Sequence, residues 1–103
     1  MTDIIPYGRQ DITEDDIDAV IKVLRSDYLT TGPKIYEFET KFATRVGAKY
    51  AVAVSNGTAA LHLACLAIDL RSGDELITSP MTFAASANCA LYCGARPVFV
   101  DIT

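Results

Sequence analysis

The stretch that most constrains this chain is Ala51-Val52-Ala53-Val54-Ser55-Asn56-Gly57-Thr58-Ala59-Ala60-Leu61, where an apolar, strand-like segment meets a helix-forming one across a four-residue polar turn. No linker separates the two. Read this way, Tyr50–Val54 is a strand and Gly57–Ile68 a helix, and the alternation then continues. After the turn Arg71-Ser72-Gly73-Asp74, Glu75–Thr78 reads as a second strand. Phe83–Cys93 reads as a helix ended by Gly94, and Pro97–Val100 as a third strand. Strand, helix, strand, helix, strand in this order predicts an α/β fold with a parallel sheet and right-handed crossovers.

Two helices precede that alternation. Thr13 followed by Glu14-Asp15-Asp16 is an N-cap with an acidic first turn, and Ile17, Val20, Ile21 and Leu24 recur at helical spacing, which predicts a helix over Glu14–Ser26. Asp27–Pro33 breaks the period and is a loop. A second helix over Lys34–Val46 is predicted to bury Ile35, Phe38 and Phe42, with Gly47 as its left-handed cap. Strands this apolar on both sides call for cover on both faces, and the helices present supply only part of it. The sequence therefore predicts an unfinished core and no domain boundary within residues 1–103.

The 103 residues are 50% hydrophobic, enough for a core and too apolar for disorder. Nine basic against thirteen acidic residues give a net charge of −4, and the basic ones are scattered, which disfavours nucleic acid or an anionic membrane as partner. The start, Met1-Thr2-Asp3, is acidic rather than basic and apolar, and no apolar run reaches bilayer-spanning length. A cytoplasmic setting is expected. It agrees with three cysteines, Cys65, Cys89 and Cys93, placed inside apolar helical patterns as small hydrophobes. Cys89 and Cys93 stand four apart without further ligands nearby in sequence, and His62 reads as a packing residue, so no metal site is expected.

Ser55-Asn56-Gly57-Thr58 sits where a helix begins, so unbonded backbone N–H groups and the positive end of the helix dipole face whatever approaches it. Gly57 lets an anion come close to the backbone and Thr58 adds a hydroxyl, which suits a phosphate. The plainer reading, that Asn56 and Thr58 only cap the helix, stays open. The tetrapeptide lacks the G-x-x-x-x-G-K-[ST] and G-x-G-x-x-G spacings, which disfavours P-loop and dinucleotide sites. Phe83 follows the second strand, and the carboxyl ends of parallel strands share one rim, so Phe83 and Thr58 are expected on the same side. An aromatic beside a phosphate site suits a flat heteroaromatic ligand; Phe83 as a core residue is the alternative.

Taken in order, Thr30-Thr31-Gly32-Pro33, Phe38 and Phe42, Ser55–Leu61, Gly73–Ile77, Pro80-Met81-Thr82-Phe83 and Pro97–Asp101 resemble the opening of the DegT/DnrJ/EryC1 family of sugar aminotransferases. The resemblance covers Ile5 to Asp101. It implies the N-terminal part of the large domain of a fold-type I enzyme dependent on pyridoxal phosphate, a three-layer α/β/α architecture with an incomplete sheet, no second domain, and apolar strand edges that favour association. Ile5–Gln10 and Tyr92–Asp101 are most similar to the branch that makes the pseudaminic acid precursor. That branch aminates C4 of a UDP-linked 4-keto-6-deoxy-N-acetyl sugar with glutamate as donor, in a homodimer.

Carried over by position, the resemblance assigns Gly57 and Thr58 to the cofactor phosphate and Phe83 to the pyridine ring. It assigns Tyr7, Asp27, Tyr28, Leu29 and Thr30 to the sugar-nucleotide pocket. Asn88 and Asp101 match positions near the active site without an assigned step. No residue here matches the cofactor-bonding lysine, and no lysine follows Lys49, so residues 1–103 are expected to carry no catalytic residue and to be inactive alone. Four other readings stay open: a phosphate-binding module without catalysis, a truncated product without function, a family member acting on another 3- or 4-keto sugar, and a family member that dehydrates rather than aminates.

Overall fold

The computed structural model describes residues 8–102. The chain forms two compact units, one ending at Ala51 and the other beginning at Val52.

The first unit holds helices α1 (Glu14–Leu24) and α2 (Pro33–Val46). At the head of α1 the Thr13 backbone N–H donates to Asp16 Oδ2 at 2.8 Å, and Thr13 Oγ1 accepts from the Asp16 N–H. This reciprocal capping box satisfies two N–H groups of the helix start, and the bonds from Thr13 hold the Asp16 carboxyl below its ordinary range. Helix α2 starts at Pro33, whose missing N–H costs nothing in a first turn. It ends at Gly47 (φ +68), as the sequence predicts, with Ala48 N–H closing onto Ala43 O at 2.9 Å. The burial predicted for α2 is not observed. Ile35, Phe38 and Phe42 are half or more exposed, Phe38 and Phe42 stack on each other at 5.8 Å, and Ala43 is the buried residue of the helix.

The second unit contains α3 (Gly57–Ala67), β1 (Glu75–Thr78), α4 (Ala85–Tyr92) and β2 (Arg96–Phe99). The two strands pair in parallel with Glu75 opposite Arg96 and Thr78 opposite Phe99, and α4 is the crossover between them. An ion pair between Arg96 and Glu75 sits at the first rung, and Val100 N–H continues the ladder onto Thr78 O. Helix α4 packs on both strands and α3 packs on α4. The core between them is small, made of Cys65, Ala85, Cys89, Ala90 and Ala95. Small side chains let the helices approach closely, at the cost of little buried apolar area. Alternation along the paired strands puts Ile77 on the opposite face from Leu76, and Ile77 is exposed. Cover is thus present on one face of the pair.

The predicted first strand differs: residues 51–54 form no strand. Helix α4 begins two residues later than the pattern suggests, because Phe83 and Ala84 form the turn that feeds it. Among the described residues no helix is long and apolar enough to cross a membrane.

Candidate functional site

Helix α3 is capped by its own sequence, though incompletely. Asn56 Oδ1 accepts from the Ala59 N–H at 2.8 Å, the Asn56 carbonyl accepts from the Ala60 N–H, and the Asn56 amide leans on Ser55 Oγ at 3.1 Å. Asn56 therefore fulfils the capping reading. The N–H groups of Gly57 and Thr58, and the Thr58 hydroxyl, have no acceptor or donor among the described residues. A Cβ placed on Gly57 would meet nothing within 4 Å. Two free donors, a hydroxyl and open space thus coincide at the positive end of a helix, the arrangement an anion needs.

The helices also define where this end lies relative to β1. In a parallel β1–α4–β2 unit α4 runs against the strands, and the short turn between α3 and β1 makes α3 run the same way as α4. Cys65 lies against both Cys89 and Cys93, and the His62 ring meets Tyr92 edge-on at 5.3 Å. Thr58 precedes Cys65 by seven residues, about two helical turns, and the segment seven residues before Cys89 and Cys93 is Thr82–Ser86. Thr58 thus lies in the first turn of α3, and Phe83 lies on the loop just before α4, the helix on which α3 packs.

Phe83 is 76% exposed there. Its loop is fixed locally: Ser79 Oγ accepts from the Met81 N–H at 3.1 Å, Thr82 and Ser86 hydroxyls lie 3.2 Å apart, and the Ser86 N–H donates to Phe83 O. A large ring held out on a hydrogen-bonded loop is not a core residue within this unit. At the far end of the helix pair, burial pushes the Cys65 thiol up to about 11, helped by the neighbouring Cys89 and Cys93 thiols. The three cysteines are packing residues, and among the described residues no group of His, Cys, Asp or Glu is placed to hold a metal ion.

Asp27, Tyr28, Leu29 and Thr30 belong to the other unit, on the loop from α1 to α2, and all four are exposed. Ser26 Oγ ties this loop together, donating to Val23 O at 2.7 Å and accepting from the Tyr28 N–H at 3.3 Å. Tyr7 lies outside the described residues. Gly32, part of the Thr30–Pro33 motif, has a steric role the sequence does not show: a Cβ there would stand 2.8 Å from Tyr28 Cβ, a contact created only when the loop closes.

Three clefts among the described residues lie elsewhere, one of them, of about 320 Å³, along α1 between Ile12 and Ile21. One of about 380 Å³ runs beside α2 between Tyr36 and Tyr50. Another, of about 440 Å³, opens at the amino ends of the strands beside Asp74 and Arg96. Ligands of parallel sheets gather at the carboxyl ends, and these clefts include none of the predicted site residues.

A family model for DegT/DnrJ/EryC1/StrS aminotransferases matches residues 10–103. The chain belongs to this family. The spore coat polysaccharide biosynthesis protein SpsC of Bacillus subtilis is 49% identical over 98 residues, which are 95% of this chain and 25% of that protein. Helicobacter pylori PseC, an aminotransferase involved in the biosynthesis of pseudoaminic acid, superposes with a TM-score of 0.85 at 34% identity, covering 95% of this chain and 27% of its own. NtdA of Bacillus subtilis, solved with bound cofactor PMP, gives 0.78 at 34% identity over 89% and 22%. The chain thus spans about a quarter of the length of the curated relatives it matches, and its fold matches that of fold-type I PLP-dependent aminotransferases.

Proposed function

We propose that residues 1–103 are the N-terminal part of the large domain of a PLP-dependent sugar-nucleotide aminotransferase, and that Gly57 and Thr58 hold the cofactor phosphate. The observation that carries this reading is the open end of α3, where two backbone N–H groups and the Thr58 hydroxyl stay unbonded beside the empty space over Gly57. A dianionic phosphate satisfies those donors and is favoured by the helix dipole. Phe83, exposed on the loop before α4, offers its ring face to the pyridine and keeps water from that side. Pyridoxal phosphate, once bound, supplies the electron sink through which an amino group is exchanged between donor and acceptor carbons. The free N–H groups, the hydroxyl and the aromatic face fit that group, whereas a dinucleotide would call for glycines this turn lacks.

On the same reading, Tyr7, Asp27, Tyr28, Leu29 and Thr30 contact a sugar nucleotide in a homodimeric enzyme. The amino donor is glutamate and the acceptor is C4 of a UDP-linked 4-keto-6-deoxy-N-acetyl sugar. The likeness to PseC supports that choice. No lysine follows Lys49, so nothing in residues 50–103 can bond the cofactor through an amine, and these residues alone turn nothing over.

The test is amino transfer by the full polypeptide from ¹⁵N-glutamate to the UDP-4-keto sugar, read by mass spectrometry and by the position of the new C–N bond. Label at C4 supports the reading. Label at C3, or none, overturns the choice of sugar, and cofactor binding without transfer to any keto sugar reduces the chain to a binding module.

A further inference from the structure

The loop that carries Tyr28 is more tightly closed than its exposure suggests. Ser26 Oγ bonds to Val23 O on one side, to the Tyr28 N–H on the other, and also to Tyr28 O at 3.2 Å. Thr31 takes a left-handed conformation (φ 53), which a β-branched residue adopts only under constraint. Gly32 then caps α2 with an ordinary φ of −82. Its lack of a side chain is therefore not a backbone requirement. It is a steric one: a Cβ on Gly32 would lie 2.8 Å from Tyr28 Cβ and 3.4 Å from Tyr28 O. Both atoms belong to the start of the Tyr28 side chain and its backbone, so no rotation of the tyrosine ring relieves the contact. A side chain at position 32 must push Tyr28 outward by about half an ångström or more to reach ordinary packing distance.

Tyr28 itself is 60% exposed. We infer that Gly32 is a positioning residue: its missing side chain lets Tyr28 sit back against the head of α2, which sets the Tyr28 ring at the height where it meets the base of a nucleoside diphosphate. This rests on the reading of the Asp27–Thr30 loop as part of the sugar-nucleotide pocket. Aromatic stacking on a base is steep in distance and angle, so a displacement of this size weakens binding without unfolding the loop. Thr31→Gly, which relieves the strained φ and adds no bulk, leaves Tyr28 in place.

Titration of the full polypeptide with UDP separates the possibilities. Gly32→Ala is expected to weaken UDP binding on the order of tenfold, with the far-UV spectrum and cofactor affinity unchanged. The same change made in a Tyr28→Gly background, where the opposing Cβ is gone, is expected to cost nothing further, and Thr31→Gly is expected to bind as the parent does. Native affinity in Gly32→Ala, or an equal loss in both backgrounds, overturns the inference. If Tyr28→Gly binds UDP as tightly as the parent, or the parent does not bind UDP, the assignment of the loop itself fails, and the inference with it.

Discussion

Gly32 and Gly57 each open a helix, and the chain treats them oppositely. At Gly32 the chain's own atoms occupy the space a side chain would take, with Tyr28 Cβ 2.8 Å from the notional Cβ. At Gly57 the space is empty and the two neighbouring N–H groups are unbonded. A glycine explained by the protein around it is a packing device. One that the protein leaves unexplained, beside free donors, points to something outside the chain.

The contrast breaks most readily at Gly57. Gly57→Val fills the empty space, and if a phosphate occupies it, loss of two charge-assisted hydrogen bonds lowers cofactor affinity on the order of a hundredfold. Equilibrium dialysis with pyridoxamine phosphate reads this, and the midpoint of urea unfolding stays put. The same substitution logic at Gly32 gives the reverse pattern for stability: Gly32→Ala costs about 1–3 kcal/mol in urea unfolding through overpacking, whereas Gly57→Ala costs nothing measurable. Asn56→Ala tests whether the cap and the anion site are separate. It is expected to lose about 1 kcal/mol of stability while the Gly57 and Thr58 donors remain available, so cofactor affinity falls far less than in Gly57→Val.

The smallest effect belongs to the first unit. Hydrogen bonds from Lys34 and Lys41, at 2.6 Å each, pull the exposed Glu37 down to about 2 from an ordinary 4.5. The folded value is depressed, so the stabilisation is complete above the unfolded value and is lost as pH falls from about 4.5 through about 2. Helicity of α2 should fall slightly across that window by circular dichroism. Glu37→Gln and high salt should both flatten the change.

Features decided within four or five residues were legible in the sequence. Thr13 with its acidic turn, Gly47 as a left-handed cap and the strand Glu75–Thr78 all lie where their residues place them. Features decided by a neighbour were not. Tyr50–Val54 has strand composition but forms no strand, and Phe38 and Phe42 follow helical periodicity yet stay half exposed, since periodicity selects a face and not its cover. At the candidate site the junction Ser55–Thr58 was readable because cap and anion donors occupy one turn. The need for glycine at position 32 was not, because the Tyr28 contact exists only once the loop has closed over a strained Thr31.

The central claim is that the free N–H groups of Gly57 and Thr58 receive a phosphate. It is tested most directly by following their backbone amides in the ¹⁵N-labelled full polypeptide while pyridoxamine phosphate is added. The account predicts that both resonances move downfield and that their hydrogen exchange slows, with the Ala59 amide, already held by Asn56, little changed in exchange. Cofactor binding that leaves the Gly57 and Thr58 amides unmoved and freely exchanging would contradict it.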